Sequence, residues 1–221
     1  MDFNLTEQQK MMQKLFREVA QNEVKENAAD VDENERFPKE SVEVMRQAKM
    51  LGIPYPREYG GAGADYLSYI LAVEELSKTC ATTGVVLSAH TSLGTWPIAQ
   101  FGTEAQKQKY LPDLCTGKKL AAFGLTEPNA GTDAAGQQTT AVLKGDHYVL
   151  NGTKIFITNA GEADVYIIFA MTDKSKGTHG ISAFIVEKGM PGFTFGLHEK
   201  KLGIRGSATS ELIFNNVEIP V

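Results

Sequence analysis

Cysteine is scarce: the 221 residues hold two, Cys80 and Cys115. They form no CxxC pair and no histidine cluster lies beside them, which disfavours a zinc site, a redox dithiol or a disulfide framework. Both read as free thiols packed as small hydrophobes. The four histidines, His90, His147, His179 and His198, stand singly and read as packing or surface residues, not ligands. Long apolar runs are also missing. The longest, Val165 to Met171, is far short of the roughly 20 residues that a membrane helix needs. The opening stretch, Met1 to Glu7, lacks the basic-then-apolar order of a secretory leader. These absences predict a cytoplasmic protein with no membrane span. No GxGxxG, GxxxxGK[ST] or HExxH occurs, which disfavours a Rossmann dinucleotide site, a P-loop and a zincin site. There is no internal repeat and no low-complexity tract.

Positive charge is in deficit: 22 Lys and Arg face 27 Asp and Glu, a net charge of -5. Such a balance argues against nucleic acid as the main partner. The distribution is uneven, because residues 172–206 carry six basic and three acidic side chains. That stretch suits a polyanion such as the phosphates of coenzyme A, or is simply a solvated loop.

Up to about Gly117 the apolar period is helical. Thr6 with Gln9 makes a capping box, and Leu5, Met12, Leu15, Phe16, Val19 and Val24 mark one face. Pro38 sits at a first helical turn before Val42, Val44, Met45, Ala48 and Leu51, and Gly52 is read as the stop. Residues 53–64, with two prolines and three glycines, read as a loop. Helical pattern resumes over 66–78 and 83–93, then after Gly94 over 96–101. A second capping box, Thr103 with Gln106, starts a last helix ending near Leu114 or Gly117. Five or six helices in sequence predict an all-α domain over residues 1–117.

From residue 118 to 221 the period changes to short strands. The candidates are 120–125, 139–143, 148–150, 154–157, 165–170, 181–186, 193–195 and 212–217. Turns are expected at Lys144-Gly145-Asp146, Asn151-Gly152 and 188–191. The fold class is therefore α+β: an all-α amino-terminal domain followed by an antiparallel β-barrel or sandwich domain.

Chemistry concentrates in two segments of the second half. The first, residues 124–136, leaves an apolar strand, exposes a hydroxyl at Thr126 and turns through Pro128, Asn129 and Gly131. Gly131 either takes positive φ or permits close backbone approach, and Thr132 adds a hydroxyl, a combination that suits an anion. The second, residues 154–159, supplies an aromatic face at Phe156 and a hydroxyl at Thr158. Taken singly, Thr126 and Thr158 read as strand-end threonines and Phe156 as a core aromatic.

Taken together, residues 126–133, 156–159, 201–206 and Glu211-Leu212 resemble the acyl-CoA dehydrogenase family, along the whole chain. The wording of residues 129–139 is most similar to its bacterial short-chain, butyryl-CoA branch. The resemblance implies an FAD enzyme that dehydrogenates an acyl-CoA thioester between Cα and Cβ, takes the proton on a glutamate, and passes electrons to an electron-transferring flavoprotein. It implies cofactor contacts from the backbones of Phe123 and Leu125, from Thr126 at the pyrimidine edge, from Gly131 and Thr132 at the pyrophosphate, and from Phe156, Ile157 and Thr158 around the ring. Thr132 is also expected near the substrate. Phe156 departs from the tryptophan of many relatives, with stacking expected to survive. The resemblance also implies a carboxyl-terminal helical bundle that bears the base and most of the contacts of a homo-oligomer, and residues 1–221 hold no match to it. Glu127 reads as a structural carboxylate tying the turn to nearby N–H groups, not as the base. Gly84, Val85, Leu87 and Leu93 are candidates for shaping the acyl-chain pocket, against a core-packing reading of each. An acyl-CoA oxidase, an electron-bifurcating relative and a non-catalytic fragment remain open alternatives.

Overall fold

In the computed structural model, which describes residues 4–221, the first helix opens as the capping box predicts. The Thr6 hydroxyl accepts from the Gln9 N–H at 3.2 Å and the Gln9 side chain accepts from the Thr6 N–H at 2.9 Å. Met1, Asp2 and Phe3, which begin the stretch read above for a leader, lie outside the described residues.

Helix α1 (Glu7–Val19) widens into a π-helical turn over Ala20–Val24 and continues as α2 (Lys25–Glu33). Phe16, Ala20, Val24 and Val31 are buried along it. Leu15, expected on the apolar face, is 49% exposed. Its neighbour Phe16 takes the inward position, because the i, i+4 step from Phe16 to Ala20 follows the helical period. Helix α3 (Lys39–Gln47) ends before the predicted stop at Gly52. Lys49 adopts φ 55, and the Met50 N–H returns to the Met45 carbonyl at 2.8 Å, a left-handed closure at a non-glycine residue. The loop that follows is buried by Met50, Leu51, Ile53 and Tyr55.

Helix α4 (Tyr66–Thr79) starts at Asp65, whose carboxylate accepts from the Ser68 N–H at 2.7 Å. It is tied to α1 by Glu75, a 3%-exposed carboxylate that accepts from Arg17 Nε and Nη2, both at 3.0 Å. The Arg17 hydrogen bond holds the Glu75 carboxyl below the usual carboxylate range. Helix α5 (Ala81–Ser88) then runs through a π-helical Ala89–Thr95 into α6 (Trp96–Phe101), so Gly94 does not break the rod as expected. Side-chain hydroxyls serve the widened turn: Thr95 donates to the His90 carbonyl at 2.8 Å and Ser92 to that of Ser88 at 2.7 Å. Helix α7 (Glu104–Cys115) carries the second predicted capping box at Thr103. Cys80 and Cys115 are buried free thiols.

The second half forms a seven-stranded sheet from β1 (Ala121–Gly124), β2 (Thr140–Lys144), β3 (His147–Thr158), β4 (Val165–Met171), β5 (Ile181–Glu187), β6 (Phe193–His198) and β7 (Thr209–Pro220). The path is β1-β4-β2-β3-β7-β6, with β5 on β4. Four pairings are antiparallel as expected, but β4 runs parallel to β1 and touches β2 by one parallel bridge, Thr140 to Met171. The sheet is thus mixed. Spacing alone shows strands but not their partners, and the parallel neighbours are joined by long connections.

The turn expected at Asn151-Gly152 is instead a bulge inside one long strand. The register against β7 shifts between Leu150 and Gly152, and Gly152 takes φ 147. A Cβ there would lie 2.4 Å from Thr139 Oγ1, so the close approach to Thr139 needs glycine.

By their internal contacts the residues form two compact units. One comprises residues up to Lys119 together with Lys200–Ser207; the other comprises Leu120–Glu199 and Ala208–Val221. No helix among the described residues is long and apolar enough to cross a membrane.

Candidate functional site

The two segments singled out in the sequence meet on one seam of the sheet unit. The Ile155 N–H donates to the Thr126 carbonyl at 2.9 Å, and the Asn159 side-chain amide donates to the Ala121 carbonyl at 3.3 Å. The chain after β1 and the end of β3 therefore run alongside one another in opposite directions, which brings the 124–136 and 154–159 segments together.

Phe156 is aimed outward by the backbone. Between Lys154 and Ile157 the register against β7 slips, and Phe156 takes φ 60 with its ring 59% exposed. A bulky residue in the left-handed region is strained, and a bulge of this kind re-aims a side chain. The two neighbours differ in orientation: Ile157 is buried, whereas Thr158 is only half-buried. Phe123 is half-buried against Phe169, ring centroids 5.1 Å apart. Leu125 and Thr126 are also half-buried. Among the described residues the hydroxyls of Thr126 and Thr158 make no hydrogen bond, which leaves both available to a ligand.

Beyond Thr126 the chain closes a tight hairpin, with reciprocal backbone bonds of 3.1 Å between Glu127 and Ala130. Gly131 and Thr132 follow, both exposed. Gly131 does not take positive φ. A Cβ built on it meets nothing within 4 Å, which leaves its approach side open. Among the described residues the N–H groups of Gly131 and Thr132 find no backbone acceptor. Two unspent amides and a hydroxyl on an open turn suit a phosphate group.

The carboxylate of Glu127 points inward. It accepts from the Gln138 N–H at 2.6 Å, the Thr139 N–H at 3.1 Å and Lys154 Nζ at 2.7 Å. This agrees with the structural role read from the sequence and removes Glu127 as a base. Burial alone would raise its pKa, but the bonds from Lys154, Thr139 and Gln138 together hold it below the ordinary value. Lys154, 0% exposed, has its pKa lowered by burial, with Glu127 opposing the shift. In the sequence Lys154 is a charged residue opening the 154–159 segment, a signal that reads equally well as a solvated strand end.

Of the acyl-pocket candidates, Gly84 and Leu87 are buried core positions, Val85 is half-buried and Leu93 is 42% exposed. The stretch 201–206 lies in the helical unit: the Arg205 N–H donates to Asp32 at 2.9 Å and its guanidinium bonds Glu35. The described residues contain no cluster of three or more His, Cys, Asp or Glu fit for a metal.

Residues 6–118 match the model of the acyl-CoA dehydrogenase N-terminal domain, and residues 122–217 match that of the acyl-CoA dehydrogenase middle domain. A curated relative, the short-chain specific acyl-CoA dehydrogenase of Clostridium acetobutylicum, is 63% identical over 221 residues, all of this chain and 58% of the relative. The solved butyryl-CoA dehydrogenase of Megasphaera elsdenii is 52% identical with a TM-score of 0.93, covering 100% of this chain and 58% of that one. A chain in a structure described as the electron transferring flavoprotein of Acidaminococcus fermentans, towards a mechanism of flavin-based electron bifurcation, is 57% identical with a TM-score of 0.96, again covering 100% and 58%. The chain thus spans somewhat over half the length of the relatives it matches.

Proposed function

The chain belongs to the acyl-CoA dehydrogenase family, and from that premise we propose that its Thr126–Thr158 seam holds FAD in an enzyme that dehydrogenates a short-chain acyl-CoA, butyryl-CoA, between Cα and Cβ. Bound FAD supplies the two-electron acceptor for that reaction. The electrons pass on to an electron-transferring flavoprotein. The observation that carries the reading is the seam itself: two hydroxyls without partners among the described residues flank a strained, outward-turned phenyl ring.

Each residue has a separate task. Thr126, with the backbones of Phe123 and Leu125, binds the pyrimidine edge, where negative charge gathers on reduction; fixed dipoles stabilise such charge without reorganising. Thr158 would donate its hydroxyl to the opposite edge of the ring, with Ile157 beside it. Phe156 covers a ring face and excludes water from it. Gly131 and Thr132 bind the pyrophosphate, and Thr132 also lies beside the coenzyme A part of the substrate. None of these residues takes the α proton, and Glu127 is committed to Lys154 and to two backbone amides.

Anaerobic addition of butyryl-CoA to the flavin-loaded protein, supplied with the base-bearing carboxyl-terminal bundle that the family resemblance implies, should bleach the oxidised flavin spectrum. In the Thr158→Val variant that bleaching should slow by roughly one to two orders of magnitude, at or below the range for losing one donor at a developing charge. Wild-type kinetics in the variant would remove Thr158 from the site. A spectrum that butyryl-CoA leaves unmoved would remove the substrate assignment.

A further inference from the structure

Lys154 is a buried lysine whose three donors are all spent: on Glu127 Oε1 at 2.7 Å, on the Leu125 carbonyl at 3.0 Å and on Gln137 Oε1 at 3.1 Å. Its stem passes over Gly124, where a Cβ would stand 3.4 Å from Lys154 Cγ. A buried ion pair alone is weak evidence of a stabilising role, because well-packed apolar residues often serve as well. The bond to Leu125 is the informative one. The peptide whose oxygen it binds is the one whose N–H belongs to Thr126, and that N–H finds no backbone acceptor among the described residues. A cation on a peptide oxygen polarises the amide and strengthens its N–H as a donor, more so in a low-dielectric interior.

We propose that Lys154 is a positioning residue for the flavin: its ammonium fixes and polarises the Leu125–Thr126 peptide, so that Thr126 presents a strengthened N–H beside its hydroxyl to the flavin edge that becomes negative on reduction. Glu127 and Gln137 hold the ammonium in place, and the Glu127 carboxylate ties the same assembly to the 138–139 backbone. The inference rests on the flavin reading of the seam. It assigns a use to a buried charge pair that packing alone does not require.

The test replaces the pair by neutral groups of similar shape, in the double variant Lys154→Met/Glu127→Gln of the flavin-loaded protein. Three quantities are measured: the thermal midpoint, the dissociation constant of oxidised FAD and the reduction potential of the bound flavin. The midpoint should stay near wild type and the oxidised-FAD affinity within about threefold. The preference for reduced over oxidised flavin should fall about tenfold, which for a two-electron couple is a potential about 30 mV more negative. Glu127→Gln alone removes the carboxylate that opposes the burial shift on Lys154, so the preference should fall by no more than in the double variant. A double variant with the wild-type potential overturns the proposal, as does a larger fall in Glu127→Gln than in the double variant, which would indicate general loosening. Should the double variant fail to fold, Lys154→Gln, which carries no charge, decides: a wild-type potential there overturns the proposal. A wild-type protein that takes up no FAD removes the flavin reading and this inference together, whereas retained FAD with an unmoved potential removes only the role of Lys154.

Discussion

Phe156 is where local backbone preference and the proposed function pull in opposite directions. An L-residue in the left-handed region costs about 1 to 2 kcal/mol, and its ring, 59% exposed, recovers little of that by burial. Glycine would release the strain at an entropic cost of about 0.5 to 1 kcal/mol. Phe156→Gly is therefore expected to leave the thermal midpoint of the apoprotein unchanged or slightly raised. Loss of a stacking face worth about 0.5 to 1.5 kcal/mol should weaken FAD binding by a few-fold to about tenfold. A variant that is strongly destabilised yet binds FAD as before would show that the ring serves the core. At this scale the sequence is legible where a residue's chemistry is its signal. Glu127 is correctly read as structural, whereas Thr126 and Thr158 read singly as strand-end threonines and gain a role only through the family resemblance. Lys154 does not stand out, because burial of a lysine depends on a carboxylate 27 positions away and a carbonyl 29 positions away.

The elements show the same division. Capping boxes at Thr6 and Thr103 are local and appear where the sequence puts them. The bulge at Gly152 is not legible, since it arises from a partner distant in sequence, Thr139, and the π-helical turns are not legible because one extra residue in a turn leaves the helical period almost unchanged. The turn over Ala89–Thr95 has a measurable consequence. It buries His90 fully, with Nε2 3.1 Å from the Leu114 carbonyl of α7. Burial pushes the imidazole pKa down from 6.5 to about 4, and the Leu114 bond opposes this only in part. A folded-state value below the unfolded one means that folding favours the neutral ring. The contribution is complete above about pH 6.5, is lost as the pH falls toward about 4, and changes no further below that. The separation between those values corresponds to roughly 3 kcal/mol. His90→Gln retains a side-chain amide for the Leu114 carbonyl and has no charge to acquire. Denaturant unfolding of wild type and variant between pH 4 and 6.5 should therefore show a shallower decline in the variant. Parallel declines would mean that His90 does not carry the acid sensitivity.

At the scale of the molecule, chain order and structural unit part company. Residues 200–207 lie in sequence between strands β6 and β7, yet belong by their contacts to the helical unit. A change of hydrophobic period locates where helices give way to strands, but a short return passage has no period of its own. Its basic residues and glycines read as an ordinary loop. The anchor is a close approach at Gly206. A Cβ there would lie 2.5 Å from the Arg36 carbonyl oxygen, 2.5 Å from Val31 Cγ1 and 2.8 Å from the Val31 carbonyl oxygen. Two of those three atoms are backbone at the end of α2 and just beyond, so the clash cannot be relieved by a rotamer change alone. Gly206→Ala is expected to cost about 1 to 3 kcal/mol, as overpacking of a closed contact does. The loss should fall on the helices even though the substitution sits between two strands. Hydrogen exchange distinguishes the cases: amides of α2 and of residues 34–36 should exchange faster in the variant, while those paired between β3 and β7 keep their wild-type protection. Acceleration confined to β6 and β7, with α2 unchanged, would place residues 200–207 with the sheet and contradict the assignment of that segment to the helical unit.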